Sequence, residues 1–159
     1  MTYPERRQPF DQLTNIDERV DYVHGQLSQA QFALDKLLER EGMEPMVAMT
    51  RNVNLRLALE PGTGDRTSKP SPLTGRIVQI IPHWPEGCNA LVDMAVGHSD
   101  HIWIYPNEVD TYAALNDATP VLTVSEAIGK SEGLWMIGRN GDARNPHAIS
   151  CTFVIIGVE

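Results

Sequence analysis

Apolar residues recur every 3.5 positions over residues 13–37 and every second position after residue 45, so the chain changes once from a helical to a strand pattern. The helical part has eight consecutive apolar positions, spaced alternately by three and four: Leu13, Ile16, Val20, Val23, Leu27, Ala30, Leu34 and Leu37. So narrow a stripe stays against a partner helix along its whole length only if the helices supercoil. The pattern therefore predicts a coiled coil, and with it self-association.

The composition of this stripe, hereafter the seam, indicates the copy number. Leucine dominates the first core position of the heptad and β-branched residues occur at the second, a combination that favours three or four strands over two. Flanking residues such as Arg19 and Gln26 form no opposite-charge pattern that would select a different chain, so we expect a homotrimer. The alternative is an amphipathic helix that packs on its own domain, since Phe32, Ala33 and Leu38 widen the apolar face.

After residue 45 the apolar residues alternate with polar ones in short runs divided by turn residues, which is typical of an antiparallel sandwich or barrel. The polar stretch 60–73, rich in Gly and Pro, predicts a long exposed loop. The predicted strands are Val53–Leu59, Arg76–Ile81, Ala90–Val96, His101–Tyr105, Thr111–Leu115, Val121–Val124, Leu134–Arg139 and Ile149–Val158. We therefore predict a mainly β chain with an N-terminal arm and coiled-coil helix over 1–44 and a jelly-roll-like β-sandwich over 45–159.

Charge and composition exclude several partners. The net charge is −8 and no cluster of Lys and Arg is present, which argues against a nucleic-acid partner. No apolar run approaches the roughly 18 residues of a membrane span, and the N-terminus does not resemble a secretion signal, so we expect expression in a host cytoplasm. Cys88 and Cys151 are too few for a disulfide scaffold.

Histidine supplies the main candidates for metal chemistry. His98, His101, Glu108 and His147 are similar to the cupin arrangement, in which a jelly roll holds a metal with histidines and a glutamate. Cupins space two histidines two residues apart on one strand, whereas a spacing of three places His98 and His101 on opposite faces. We interpret Ser99 and Asp100 as a hairpin turn between them and expect no metal, no cofactor and no catalytic residue. A cupin-like metal-dependent enzyme stays as an alternative.

The stretch from Gly75 to Ile156 resembles the β-domains of small structural proteins of tailed-virus heads. The motifs that carry the resemblance are Trp84–Val96, Leu115–Val121 and Leu134–Asn140. In the decoration, cement and short spike proteins of this kind, an N-terminal helix precedes a jelly roll and three copies assemble on the capsid surface. The resemblance implies a non-enzymatic virion protein on the head surface whose partners are itself and the capsid lattice. A receptor-binding alternative implies a host surface glycan bound through exposed aromatic residues.

Overall fold

The computed structural model describes residues 16–40, 42 and 47–159. The chain divides into two compact units, Met1–Met46 and Val47–Glu159. The first unit contains the 25-residue helix α1, Ile16–Arg40. Leu13 and the side chain of Ile16, the first two seam positions, lie outside the described residues. Among the described residues, no helix is both long and apolar enough to cross a membrane.

The second unit is built from two antiparallel sheets. Its strands are β1 (Met49–Leu59), β2 (Gly64–Pro70), β3 (Thr74–His83), β4 (Val92–His98), β5 (Ile102–Tyr105), β6 (Ala113–Ala114), β7 (Leu122–Ile128), β8 (Gly133–Asn140) and β9 (His147–Val158). The first sheet has the order β1-β9-β3-β7 and the second the order β2-β8-β4-β5, with β6 also paired to β4. Strands that are distant in the chain are thus neighbours in each sheet.

Both sheets contribute one face to a single hydrophobic core. Every second residue is buried over Leu55–Leu59 of β1, Val92–Val96 of β4 and Ile149–Ile155 of β9, as the period of two predicts. The core residues of these strands are Leu55, Leu57, Leu59, Val92, Met94, Val96, Ile149, Cys151, Phe153 and Ile155. Removing each large aliphatic or aromatic side chain from water stabilises the fold by about 1.5–3 kcal/mol, so this shared core is the main source of stability.

The predictions of a mainly β chain, one N-terminal helix and antiparallel pairing are confirmed. All eight predicted strands correspond to strands of the structure, although the predicted strand 111–115 shrinks to the two residues of β6. The predicted hairpin turn is also present, because β4 and β5 pair with His98 opposite Ile102 and Ser99 adopts a φ of 50°. Cys151 is a buried free thiol within β9.

The predicted loop over 60–73 is wrong for residues 64–70, which form β2. This strand pairs along its whole length with β8, from Gly64 opposite Arg139 to Pro70 opposite Gly133. It lies at the edge of the second sheet and its side chains are mostly exposed, so no apolar alternation marks it. Lys69 and Pro70 are typical of edge strands, since a charge and a missing donor discourage pairing with further chains.

We predict that Phe153→Ala lowers the free energy of unfolding by about 3–5 kcal/mol, because it leaves a cavity in the shared core. Val154→Ala, one residue along the same strand and pointing away from the core, should cost clearly less. Urea denaturation at one fixed protein concentration measures both losses. Equal losses would contradict the assignment of the inner face of β9.

Candidate functional site

An aromatic patch lies on the outer face of the second sheet. Trp135 alternates with buried Leu134 and Met136 along β8, so its side chain projects away from the core. Trp103 of β5 packs edge-on against Trp135, with ring centroids 5.1 Å apart, and against Tyr112, at 5.8 Å. Trp103 and Tyr112 are half-buried, so parts of both rings face solvent.

Gly97 allows Trp135 to lie flat on the sheet. A Cβ atom at Gly97 would overlap the indole ring of Trp135 and the carbonyl oxygen of Ile102. The indole Nε1 donates to the carbonyl of His98 at 3.2 Å, and only 2% of Trp135 is exposed. Trp135 is therefore the buried base of the aromatic patch, and Trp103 and Tyr112 are the residues that solvent can reach.

Two arginines add charge to the aromatic patch. The guanidinium of Arg139 lies 3.5 Å from the ring centroid of Tyr112 and 3.1 Å from a carboxylate oxygen of Asp93. The guanidinium of Arg66 lies 5.1 Å from the ring centroid of Trp135. Cation–π contacts of this kind hold the guanidinium groups in place over the rings. Apolar rings beside fixed donors and a carboxylate suit a polar ligand with flat apolar faces, such as a carbohydrate.

The metal candidates taken from the sequence do not come together. His98 faces inward at one end of β4, whereas His147 begins β9 and contacts Asp142 near the other end of β4. His101 and Glu108 are exposed, in the β4–β5 turn and in the β5–β6 connection respectively. Within the part of the chain that the structure describes, no three His, Cys, Asp or Glu residues form a group that could hold a metal ion.

His98 instead has a carboxylate near each ring nitrogen. Its Nδ1 lies 3.1 Å from the Ser99 hydroxyl and 4.0 Å from Glu132, and its Nε2 lies 3.9 Å from Glu126. The side chain is 3% exposed, and Nε2 has no hydrogen-bond partner. The two carboxylates lie on opposite sides of the ring, because each approaches a different nitrogen. One metal ion could therefore not bind both carboxylates and a nitrogen of His98. The exposed backbone amide of Gly129 also donates to Glu132, which fixes that carboxylate in the β7–β8 turn.

Asp142 organises the connection between β8 and β9, at the end of the sheets opposite to His98. Its carboxylate accepts hydrogen bonds from the backbone amides of Arg144 and Asn145, from the side-chain amide of Asn145, and from His147 Nε2 at 3.1 Å. The amide of Asn140, which is buried, donates to three carbonyls around the same connection. These hydrogen bonds, that from the Asn145 side chain foremost, hold the pKa of Asp142 well below its usual range.

Cys88 completes a row of three groups with His147 and Asp142. Its Sγ lies 4.0 Å from His147 Nδ1, so the order thiol, imidazole, carboxylate matches that of a cysteine nucleophile, its base and an orienting acid. The thiol, however, is fully buried, and burial raises its pKa. A thiolate is the reactive form of cysteine, so this arrangement holds a neutral thiol away from solvent. Cys88 and Asp142 thus contact opposite nitrogens of the His147 ring.

The sequence allowed for exposed aromatic residues that bind a glycan, but it identified neither the aromatic patch nor the Asp142 network. Residues 134–137 form a continuous apolar run, which hides the fact that Trp135 points outward. Asn140 and Gly141 carry the strongest short turn signal, and that signal marks a turn without showing how Asp142 stabilises it. One signal was available: Trp103 and Trp135 each lie next to a core residue, Ile104 or Leu134, and neighbouring residues of a strand point to opposite faces.

We predict that Asp142 makes the fold more sensitive to acid. Its pKa is lower in the folded chain than in the unfolded chain, so it contributes stability above about pH 4, the unfolded value, and this contribution is lost as the pH falls towards the folded value. Asp142→Asn should therefore lower the melting temperature at pH 7 and reduce the further loss between pH 4 and lower pH.

Asp100→Asn, which changes an exposed carboxylate in the β4–β5 turn, is the matched control and should leave the melting temperature at pH 7 nearly unchanged. Thermal unfolding followed by circular dichroism from pH 7 to pH 2 checks both variants. An Asp142→Asn protein with the wild-type pH profile would contradict the stabilising role of the carboxylate.

No protein-family model matches this chain, and a search of curated proteins finds no match.

Proposed function

We propose that the chain is a non-enzymatic structural protein that forms a parallel homotrimer through the seam of α1. The observation that carries this proposal is the exposure of the seam in the single chain. Exposed fractions are 44% for Val20, 43% for Val23, 62% for Leu27, 50% for Leu34 and 57% for Leu37. A continuous apolar stripe with a 3.5-residue period is normally covered by partner helices. The heptad composition favours three strands over two.

The second unit is proposed to be a jelly roll. Its strand order supports this proposal, because β1 pairs with β9, β2 with β8, β3 with β7, and β4 with β5 and β6. Such nested pairing is what results when one long antiparallel ribbon folds across itself into two sheets. A jelly roll with an N-terminal trimerising helix is the architecture that the resemblance to tailed-virus head proteins implies.

The proposed role is decoration or cementing of a tailed-virus head. The motifs Trp84–Val96, Leu115–Val121 and Leu134–Asn140 support it through their resemblance to such proteins. Linked copies also suit a repeating lattice, because each attachment after the first is effectively intramolecular and strengthens binding without a new type of contact. Antibodies against the chain should therefore label the heads of particles made by a virus that encodes it, and unlabelled heads would contradict the role.

We predict that Leu27→Asp dissociates the trimer. Leu27 is a first-position core residue of the proposed coiled coil, and an unpaired carboxylate buried there costs several kcal/mol. Ser28→Asp places the same charge on the exposed face of the helix, one residue along, and should leave the mass unchanged. Light scattering after size-exclusion chromatography measures both variants. The same mass for Leu27→Asp and wild type would remove the coiled-coil interpretation.

Glycan recognition is a second candidate function, and the aromatic patch is the specific observation that favours it. Trp103 and Tyr112 expose ring surface beside Arg66, Arg139 and Asp93, a combination that suits sugar rings and their hydroxyls. If this function is correct, the purified full-length chain binds a defined glycan on an array.

Trp103→Ala should abolish that binding, while Val109→Ala, a change at an exposed residue of the β5–β6 connection, should retain it. Absence of binding by the intact protein would eliminate the candidate. Stoichiometric zinc, iron or manganese in the purified protein, lost in a His98→Ala and His101→Ala double variant, would instead favour the cupin-like enzyme.

A further inference from the structure

The outer face of the first sheet, hereafter the acid-free face, has an unusual composition for this chain. Its residues are the ones that alternate with the core residues of β1, β9, β3 and β7. They are Thr50, Asn52, Asn54, Arg56, Ala58, Arg76, Gln79, Ile81, His83, Thr123, Ser125, Ala127, Ala148, Ser150, Thr152, Val154 and Ile156. None of them is Asp or Glu, and most are small and uncharged.

The rest of the chain is acidic. The net charge is −8, and residues 47–159 contain twelve Asp and Glu against eight Lys and Arg. Two copies that meet through acidic surfaces would therefore bring carboxylates together, which is unfavourable. An interface in which one copy contributes the acid-free face avoids this repulsion, because that copy brings no carboxylate to the contact.

The side chains of the acid-free face are also partly satisfied within the sheet. Arg76 donates to the hydroxyl and the carbonyl of Ser125, at 3.1 and 3.0 Å, so its guanidinium lies along the sheet. Asn54 donates to the Thr152 hydroxyl at 2.9 Å, and His83 Nδ1 lies 2.7 Å from the Thr119 hydroxyl. Covering these groups costs less desolvation than covering unpaired ones. The absence of carboxylates from this face agrees with the depletion of acidic residues at interface cores.

The area of the face decides what kind of partner can use it. Four strands spaced by about 4.8 Å and roughly ten residues long cover on the order of 600 Å², counted flat. That is somewhat less than the roughly 800 Å² per partner of a stable complex between separate proteins. A partner that is already tethered needs less area, because tethering raises its effective concentration to about the millimolar range. A second copy joined through α1 is such a partner.

We infer that the acid-free face is covered by a second copy of this chain, so that neighbouring β-units contact each other in the assembly. This inference rests on the proposed homotrimer and adds a second interface to the one formed by the helices. The face would then be hidden in the trimer and open in a monomer.

Thiol labelling of the full-length chain tests this inference. Ile156→Cys places a thiol on the acid-free face at a residue that is 43% exposed, and Leu91→Cys places one at a residue that is 46% exposed and lies off that face. The native thiols of Cys88 and Cys151 are fully buried, so they do not compete for a maleimide reagent. Each substitution is made in the wild-type background and in the Leu27→Asp background, and the mass of each protein is measured alongside the labelling rate.

In a trimer, Cys at position 156 should react about tenfold more slowly than in the Leu27→Asp monomer, which corresponds to about 1.4 kcal/mol of protection. Cys at position 91 should react at the same rate in both. A trimer in which position 156 reacts as fast as in the monomer would overturn the inference and leave the trimer intact. A wild-type protein with the mass of a monomer would overturn the proposed homotrimer, and the inference with it.

Discussion

The pairing of the last strand, β9, with β1 on one side and β3 on the other holds the second unit together. β9 is twelve residues long and forms antiparallel ladders with both neighbours, continuous with β1 and interrupted with β3 by one register shift between Ile77 and Gln79. Its inward residues, among them Cys151 and Phe153, are fully buried and contact the core that both sheets share. Without β9 the first sheet would separate into β1 and the β3–β7 pair, because β9 is the strand that joins them.

Each of the two sheets has an outer face that points away from the shared core, and the two faces differ in composition. The second sheet exposes the aromatic patch, in which Arg139 contacts both Tyr112 and Asp93. The first sheet exposes a face without carboxylates, which suits contact between copies of an acidic chain. The exposed seam of α1 and these two faces are the surfaces for which partners are proposed. Polar groups are also buried at the two ends of the sheets, where Asp142 contacts His147 and His98 lies near Glu132.

Much of the fold could be predicted from the sequence, because burial on one face imposes a period of two that strands such as Val53–Leu59 show clearly. β2 could not, since an edge strand is held by ladder hydrogen bonds and needs no apolar alternation. The outward position of Trp135 was also hidden, because a buried aromatic residue on an outer face looks like a core residue in sequence. The separation of His98 from His147 depends on strand register, which spacing along the chain does not specify.

The central claim is that three copies associate through the seam of α1. The mass of the intact full-length chain in solution tests this most directly, and native mass spectrometry across a range of concentrations would measure it. We expect a species of three times the 17.7 kDa of one chain that persists on dilution. A single species of 17.7 kDa at every concentration would contradict it.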